Sequence, residues 1–192
     1  MNTITKLTLN TAVACLSIAF TSSCSNDHKD SKEMAQEAND NKFDKKDEKD
    51  ADCLVNAYSS NLYEIKVSEN AALNASSAEV KKLAAMIVEA HTKMNKDVTA
   101  LADKKQVTLP TTLTDEQRGH IEKLAEKTGM DYDKAYVEMM KDKHEDAIKT
   151  YEKDADKCVD TDIKMWASET VPEVRSHLDM VTSTWNNIKD MK

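Results

Sequence analysis

The stretch VKKLAAMIVEAHTKMNKDVTAL, residues 80–101, has the clearest helical pattern of the chain. One set of positions recurs at alternating intervals of four and three residues: Val80, Ala84, Ile87, His91, Met94, Val98 and Leu101. This spacing places all seven side chains on one side of an α-helix. The pattern predicts an amphipathic helix over about residues 77–105 that buries one wide stripe.

Three other segments repeat this pattern and predict helices over about residues 53–75, 132–154 and 160–189. Wide stripes on helices of this length are typical of a four-helix bundle. The composition agrees, because the 192 residues include only two glycines and two prolines. Turn-rich β folds and glycine-rich phosphate loops need more glycine, so both are excluded. The predicted fold class is all-α.

The connection between the second and third predicted helices is long, covering residues 106–131 with Pro110 and both glycines. It suits a crossover along the bundle, as in ferritin-like folds, although an extra hairpin helix also fits. With a crossover, Cys53 and Cys158 lie at the same end of the bundle; without one, they lie at opposite ends. Because cysteines pair in oxidising compartments, we predict both the crossover and a Cys53–Cys158 disulfide.

The N-terminus has the features of an export signal. Residues 1–23 contain a 14-residue apolar run, Leu7 to Phe20, which is too short for a permanent membrane span. Small residues then precede Cys24, which resembles the lipobox of bacterial lipoproteins; the alternative is an ordinary cleavage site beside an incidental cysteine. We predict that Cys24 is acylated and anchors the protein to the outer membrane, facing the periplasm or the cell surface.

The stretch after Cys24 is highly charged, with ten acidic residues and six lysines over residues 25–52. So few apolar side chains predict a disordered tether over residues 24–52, which leaves residues 53–192 as the bundle domain. The whole chain has a net charge of −8. It lacks the cationic surface that nucleic-acid binding needs, so the expected partner is the membrane, through the lipid anchor. The sequence does not identify a protein partner.

Three histidines lie within the apolar stripes of three different helices. His91, His144 and His177 each fall near the middle of a predicted helix, and therefore at similar heights in the bundle. Imidazole is the commonest metal ligand, although a single core histidine usually just bonds a neighbour. On the first helix Glu64 and Glu69 compete as a fourth ligand, and height favours Glu64. The pattern predicts a site for one transition-metal ion: copper, zinc or iron.

A methionine accompanies each of these histidines on its own helix face, at positions 94, 140 and 180. Thioether and imidazole ligands together suit copper(I), which makes Met94, Met140 and Met180 additional candidate ligands. The alternative interpretation is that these methionines fill gaps in the core.

Several short motifs carry a resemblance to a known family. They are Glu64-Ile65, the run from Val80 to His91, Leu109-Pro110, the run from Asp133 to Met140 with His144-Glu145, and the run from Val171 to Leu178. In this order they resemble the bacterial family called domain of unknown function 4142, whose members are often labelled outer membrane proteins. The resemblance implies a ferritin-like, exported protein without a settled activity. It also implies that Glu64, His91, His144 and His177 are the functional set.

Catalytic motifs are scarce. The three stripe histidines lack the Glu-x-x-His spacing of di-iron sites, and the chain contains neither a His-Glu-x-x-His motif nor a nucleophile elbow. The sequence therefore favours a non-enzymatic envelope lipoprotein that binds one metal ion. The alternatives are an interaction or stress-protective module without metal, and a small redox metalloenzyme.

Overall fold

The computed structural model of the protein describes residues 29–192. The predicted signal peptide and the predicted lipidation site at Cys24 lie outside the described residues. All regular structure from Lys29 to Lys192 is helical, in the order α1 (Ser31–Asp40), α2 (Lys45–Asn74), α3 (Ala78–Lys105), α4 (Asp115–Ala125), α5 (Gly129–Lys157) and α6 (Thr161–Ile188). None of these helices is both long and apolar enough to cross a membrane.

The four predicted helices correspond to α2, α3, α5 and α6, and they pack as two antiparallel pairs, α2 with α3 and α5 with α6. The prediction of a disordered tether over residues 24–52 is wrong for residues 31–52. Helix α1 covers part of it, and α2 begins eight residues before the predicted start. Local capping explains the difference: Asp30 and Glu33 form a capping box for α1, and Asp44 caps α2.

Helix α1 is also fixed by a contact distant in sequence. The buried amide of Asn39 donates to the Thr108 carbonyl at 2.9 Å and accepts from the Thr108 backbone N–H at 2.8 Å. This two-point contact orders a polar helix without much apolar burial. A composition argument counts only apolar burial, and so it does not detect such a contact.

Two buried or nearly buried aspartates hold the turns of the hairpins. Asp133, near the start of α5, accepts from the backbone N–H groups of Ser76 and Ser77 in the α2–α3 turn, at 2.8 and 2.6 Å. Asp50, near the start of α2, accepts from the backbone N–H groups of Val159 and Asp160 in the α5–α6 turn, at 2.8 and 2.6 Å. Each hairpin therefore supplies the carboxylate that satisfies the turn of the other.

The two hairpins are equivalent at a constant offset of 83 residues. The equivalent pairs are Asp50 and Asp133, Asn74 and Lys157, Ala75 and Cys158, Ala78 and Thr161, and Lys105 and Ile188. The turn residues even share their backbone angles, with φ −57° and ψ 146° at Ala75 and φ −58° and ψ 148° at Cys158. The bundle is thus a tandem repeat of one helical hairpin.

The two hairpins are joined by the predicted crossover. Lys105, at the end of α3, pairs with Asp160 beside the α5–α6 turn, whereas α5 begins at the opposite end beside the α2–α3 turn. Residues 106–128 therefore run the length of the bundle and carry α4, whose capping box is formed by Thr114 and Gln117. This connection also brings Cys53 and Cys158 together, with their Sγ atoms 2.7 Å apart. Both cysteines are unbonded here, so the disulfide stays a prediction.

The apolar core is divided into two clusters along the bundle axis. One surrounds the α2–α3 turn and includes Val67, Ile87, Met140 and Val181; the other includes Ala57, Met94, Ile148 and Val174. In each of the four long helices, one buried polar residue lies between the part of the helix that packs in the first cluster and the part that packs in the second. These four residues form a polar layer across the middle of the bundle: Glu64, His91, His144 and His177.

Candidate metal centre

The polar layer is almost completely closed to water. The exposed fractions of its side chains are 1% for Glu64, 2% for His91, 0% for His144 and 5% for His177. The structure brings the four residues that the height argument favours into one layer, and their role as metal ligands stays a prediction. Glu69 lies outside the layer, half exposed and paired with Lys66.

The three imidazole rings surround a common point. Their centroids are 5.3 Å apart for His91 and His144, 5.5 Å for His91 and His177, and 5.7 Å for His144 and His177. One nitrogen of each ring lies within 4.8 Å of a nitrogen of each of the others. Metal–nitrogen bonds of about 2.0–2.1 Å need nitrogens roughly 3.3–3.6 Å apart, so small side-chain movements bring the three rings onto one ion.

The carboxylate of Glu64 lies beside two of these rings. Its Oε2 is 3.7 Å from His91 Nε2 and 3.4 Å from His144 Nδ1, while its Oε1 accepts from the Ser60 hydroxyl at 3.3 Å. This places one carboxyl oxygen of α2 against two of the three rings. A role of Glu64 as a fourth ligand stays a prediction.

Neighbouring groups set which nitrogen of each ring carries the proton. His144 Nδ1 donates to the Met140 carbonyl at 2.8 Å, which leaves Nε2 with a lone pair. His91 Nδ1 lies 3.1 Å from Asn61 Oδ1, and donation to this oxygen likewise leaves Nε2 with a lone pair. Hydrogen bonds of this kind orient metal-binding histidines in proteins.

The lone-pair atoms have no partner within the described part of the chain. The buried atoms without a hydrogen bond include His91 Nε2, His144 Nε2, His177 Nδ1 and Glu64 Oε2. An unpaired buried polar atom costs about 1–3 kcal/mol, so these atoms are expected to gain a partner. A cation held by one nitrogen of each ring would provide a partner for the histidines.

Burial controls the charge of the layer. It lowers the pKa of His91, His144 and His177 to about 4, so all three rings are neutral near pH 7. Burial also raises the pKa of Glu64, an effect that the neighbouring His91 opposes. Neutral imidazole is the form that binds metal ions, so the metal-free rings are in the protonation state that a cation needs.

The three candidate methionines have different surroundings. Met140 is fully buried, and its Sδ lies 3.9 Å from the Ser68 hydroxyl. Met94 packs within the cluster that contains Ala57, and Met180 is 39% exposed in a surface groove beside His177. The first two therefore fill the core, and a ligand role for any of the three remains a prediction.

Asn61 is the residue of this centre that sequence reasoning did not identify. It is buried on α2, one turn before Glu64, and it orients His91 across the hairpin. Asn61 and His144 are 83 residues apart, as are Met94 and His177. The repeat was the signal that could have identified position 61.

A second group of metal-ligating side chains lies near the far end of the bundle. It consists of Cys53, Asp154 and Cys158, whose ligand atoms lie within 4.8 Å of one another. Burial raises the pKa of Asp154, and the mutual contact of the two thiols raises that of Cys53. The two sulfur atoms are close enough to join in a disulfide once one thiol is deprotonated and an external oxidant accepts two electrons.

These observations define a class of protein: a tandem-repeat helical bundle with a buried layer of three histidines and one carboxylate. The chain belongs to the family described as Domain of unknown function (DUF4142), whose model matches residues 33–184. This match confirms the resemblance found in the sequence. It also includes most of the segment that was predicted to be a tether.

The fold has a counterpart among solved structures. A crystal structure of the "putative secreted protein DUF305 from Streptomyces coelicolor" is similar, with a TM-score of 0.56 and 15% sequence identity over 70% of this chain and 89% of that chain. At this identity the similarity concerns the fold alone. No curated protein matches the sequence.

Proposed function

We propose that this protein is a lipid-anchored protein of the bacterial cell envelope that binds one transition-metal ion, copper, zinc or iron, in the middle of its bundle. His91, His144 and His177 are the proposed nitrogen ligands, and Glu64 is the proposed oxygen ligand. The observation that carries this proposal is the buried group of three histidines, whose ligand nitrogens lie within 4.8 Å of one another. Each of these rings also has one nitrogen without a hydrogen-bond partner. Ring orientation by Asn61 and by the Met140 carbonyl supports it.

The proposed location rests on the N-terminal sequence. A signal-like run and Cys24 support export and lipid anchoring, and the description of the DUF305 protein as secreted agrees with export. The chain's net charge of −8 supports a role without nucleic acid. The ferritin-like character of the bundle is also part of the proposal, and the crossover supports it.

We propose binding rather than catalysis as the function. The four layer side chains are at most 5% exposed, and the sequence carries neither a His-Glu-x-x-His motif nor a nucleophile elbow. Holding or buffering an ion needs only ligands, whereas turnover also needs a bound substrate and a group that reacts with it.

Metal analysis of the purified protein tests this proposal. We expect one equivalent of copper, zinc or iron after loading and removal of loose ions. A His91→Ala, His144→Ala double substitution should weaken binding by at least about 100-fold, because it removes two of three nitrogen ligands. The matched control is His120→Ala, because His120 is partly exposed on α4.

The opposite result is equally clear. If the loaded protein retains no metal, and its thermal stability is the same with and without chelator, the metal proposal is wrong. An interaction or stress-protective role would then be the better interpretation of the bundle. Redox turnover of the loaded protein would instead indicate an enzyme.

A further inference from the structure

A cavity of about 380 Å³ lies between α2 and α5 and reaches the polar layer. Glu64 and His91 line its inner end, and Lys143 is among the residues that line it from α5. The cavity exists because Ala57, Ser60 and Ala147 are small. In the repeat, the positions equivalent to Ala57 and Ala147 carry the larger buried side chains of Met140 and Glu64.

The charge balance at the layer favours an anion. A divalent cation bound to three neutral imidazoles and one carboxylate leaves a net charge of +1 in a buried place. An unpaired buried charge is costly, and one small anion would neutralise it. Lys143 adds positive potential on the α5 side, where its Nζ lies 5.4 Å from the Tyr63 ring centroid.

We infer that the α2–α5 cavity admits a small anion to the inner end that Glu64 and His91 line, beside the proposed metal ion. This inference rests on the proposed metal binding. It assigns Ala57, Ser60 and Ala147 a role in keeping the cavity open, and it assigns Lys143 a role in attracting the anion.

A second route is available on the opposite face of the bundle. A groove of about 780 Å³ between α3 and α6 is lined by Ala90, His177 and Met180. Only one of the four layer residues lines this groove, whereas two line the α2–α5 cavity. The ion pair of Lys93 and Glu173 also spans the groove, with 3.5 Å between Nζ and Oε1. These contacts favour the α2–α5 cavity as the route of the anion.

Azide is a suitable probe, because it is a three-atom anion and its copper(II) complexes absorb visible light. The protein is loaded with copper(II), its metal content is measured, and azide is added while the absorption is followed. We expect a saturable new band in the wild-type protein. Ala147→Leu should fill the cavity and weaken azide binding at least about tenfold without loss of metal, while Ala90→Leu in the opposite groove should change it less than about twofold.

The results distinguish a failure of the inferred anion binding from a failure of the proposed metal binding. Full copper content without an azide band overturns the inference and leaves metal binding intact. The same holds if Ala90→Leu, rather than Ala147→Leu, blocks azide. Failure to bind copper or any other metal overturns the proposed function, and the inference with it.

The attraction by Lys143 is tested separately by the rate of azide association. Lys143→Met should slow association about threefold or more at low salt, and the difference from wild type should shrink as salt is added. Lys82→Met, which removes an exposed lysine of α3, is the matched control. Equal rates for the two variants would overturn the role of Lys143.

Discussion

His91 Nδ1 lies 3.1 Å from Asn61 Oδ1, so a residue of α2 orients a ring that belongs to α3. We therefore expect Asn61→Ala to weaken metal binding by about 10- to 100-fold, as is typical when the group that orients a metal-binding histidine is lost. The affinity is measured by competition with a chelator of known strength. Asn56→Ala, an exposed change on the same helix, should leave it unchanged. Equal affinities for Asn61→Ala and wild type would show that the ring needs no such support.

The metal-free protein should lose stability in mild acid. Unfolded histidines take up protons below about pH 6.5, whereas burial lowers the pKa of His91, His144 and His177 to about 4. The unfolded state therefore binds more protons between these values, and the free energy of unfolding falls as the pH falls from 6.5 to 4. A fully shifted single histidine contributes roughly 3 kcal/mol to this loss. Glu64 acts in the opposite sense, because its raised pKa favours the folded state when protonated.

Urea unfolding at a series of pH values measures this effect. The wild-type midpoint should fall between pH 6.5 and 4, and the double variant His91→Ala, His144→Ala should fall less. His120→Ala should follow the wild type. A midpoint independent of pH over this range contradicts the prediction.

Asp133 should contribute strongly to stability. It is fully buried and accepts three hydrogen bonds, from two backbone N–H groups and the Ser76 hydroxyl. Asp133→Ala leaves these donors unpaired and should lower the free energy of unfolding by roughly 2–4 kcal/mol. Asp131→Ala, an exposed change on the same helix, should cost less than about 0.5 kcal/mol. Equal losses of unfolding free energy for the two variants in denaturant would show that Asp133 does not stabilise the α2–α3 turn.

Oxidation should join Cys53 to Cys158. Their sulfur atoms lie 2.7 Å apart, and loss of two hydrogens by intact mass will show the bond. Because the bond closes a loop of about 100 residues, it should stabilise the protein by up to about 4 kcal/mol. Cys158→Ser should abolish the stability difference between oxidised and reduced protein. Two free thiols after exposure to an oxidant would contradict this prediction.

The sequence predicts the regular parts of the molecule well, because burial repeats with the period of the helix. The four long helices and the common height of His91, His144 and His177 follow from spacing. The crossover follows from the length of the connection and from the positions of the two cysteines. Helix α1 could not be predicted in this way, since the Asn39–Thr108 contact links residues 69 positions apart. The Asn61–His91 contact was also beyond spacing arguments, because it depends on how α2 and α3 rotate against each other.

The hairpin repeat was not detected either, for a chemical reason. Equivalent positions carry different side chains around the polar layer: Asn61 corresponds to His144, and Met94 corresponds to His177. Backbone angles and turn contacts preserve the repeat more closely than side chains do, as Ala75 and Cys158 illustrate.

Because the bundle consists of two hairpins, its folding has two stages: the hairpins form first and then dock. Each hairpin joins helices that are adjacent in sequence, so each can form early and independently of the other. Of the four proposed ligands, Glu64 and His91 belong to the first hairpin, whereas His144 and His177 belong to the second. Each hairpin of a newly made chain therefore presents two of the four ligands until the hairpins dock, and the complete set exists only afterwards. Ion capture would thus mark the last step of maturation.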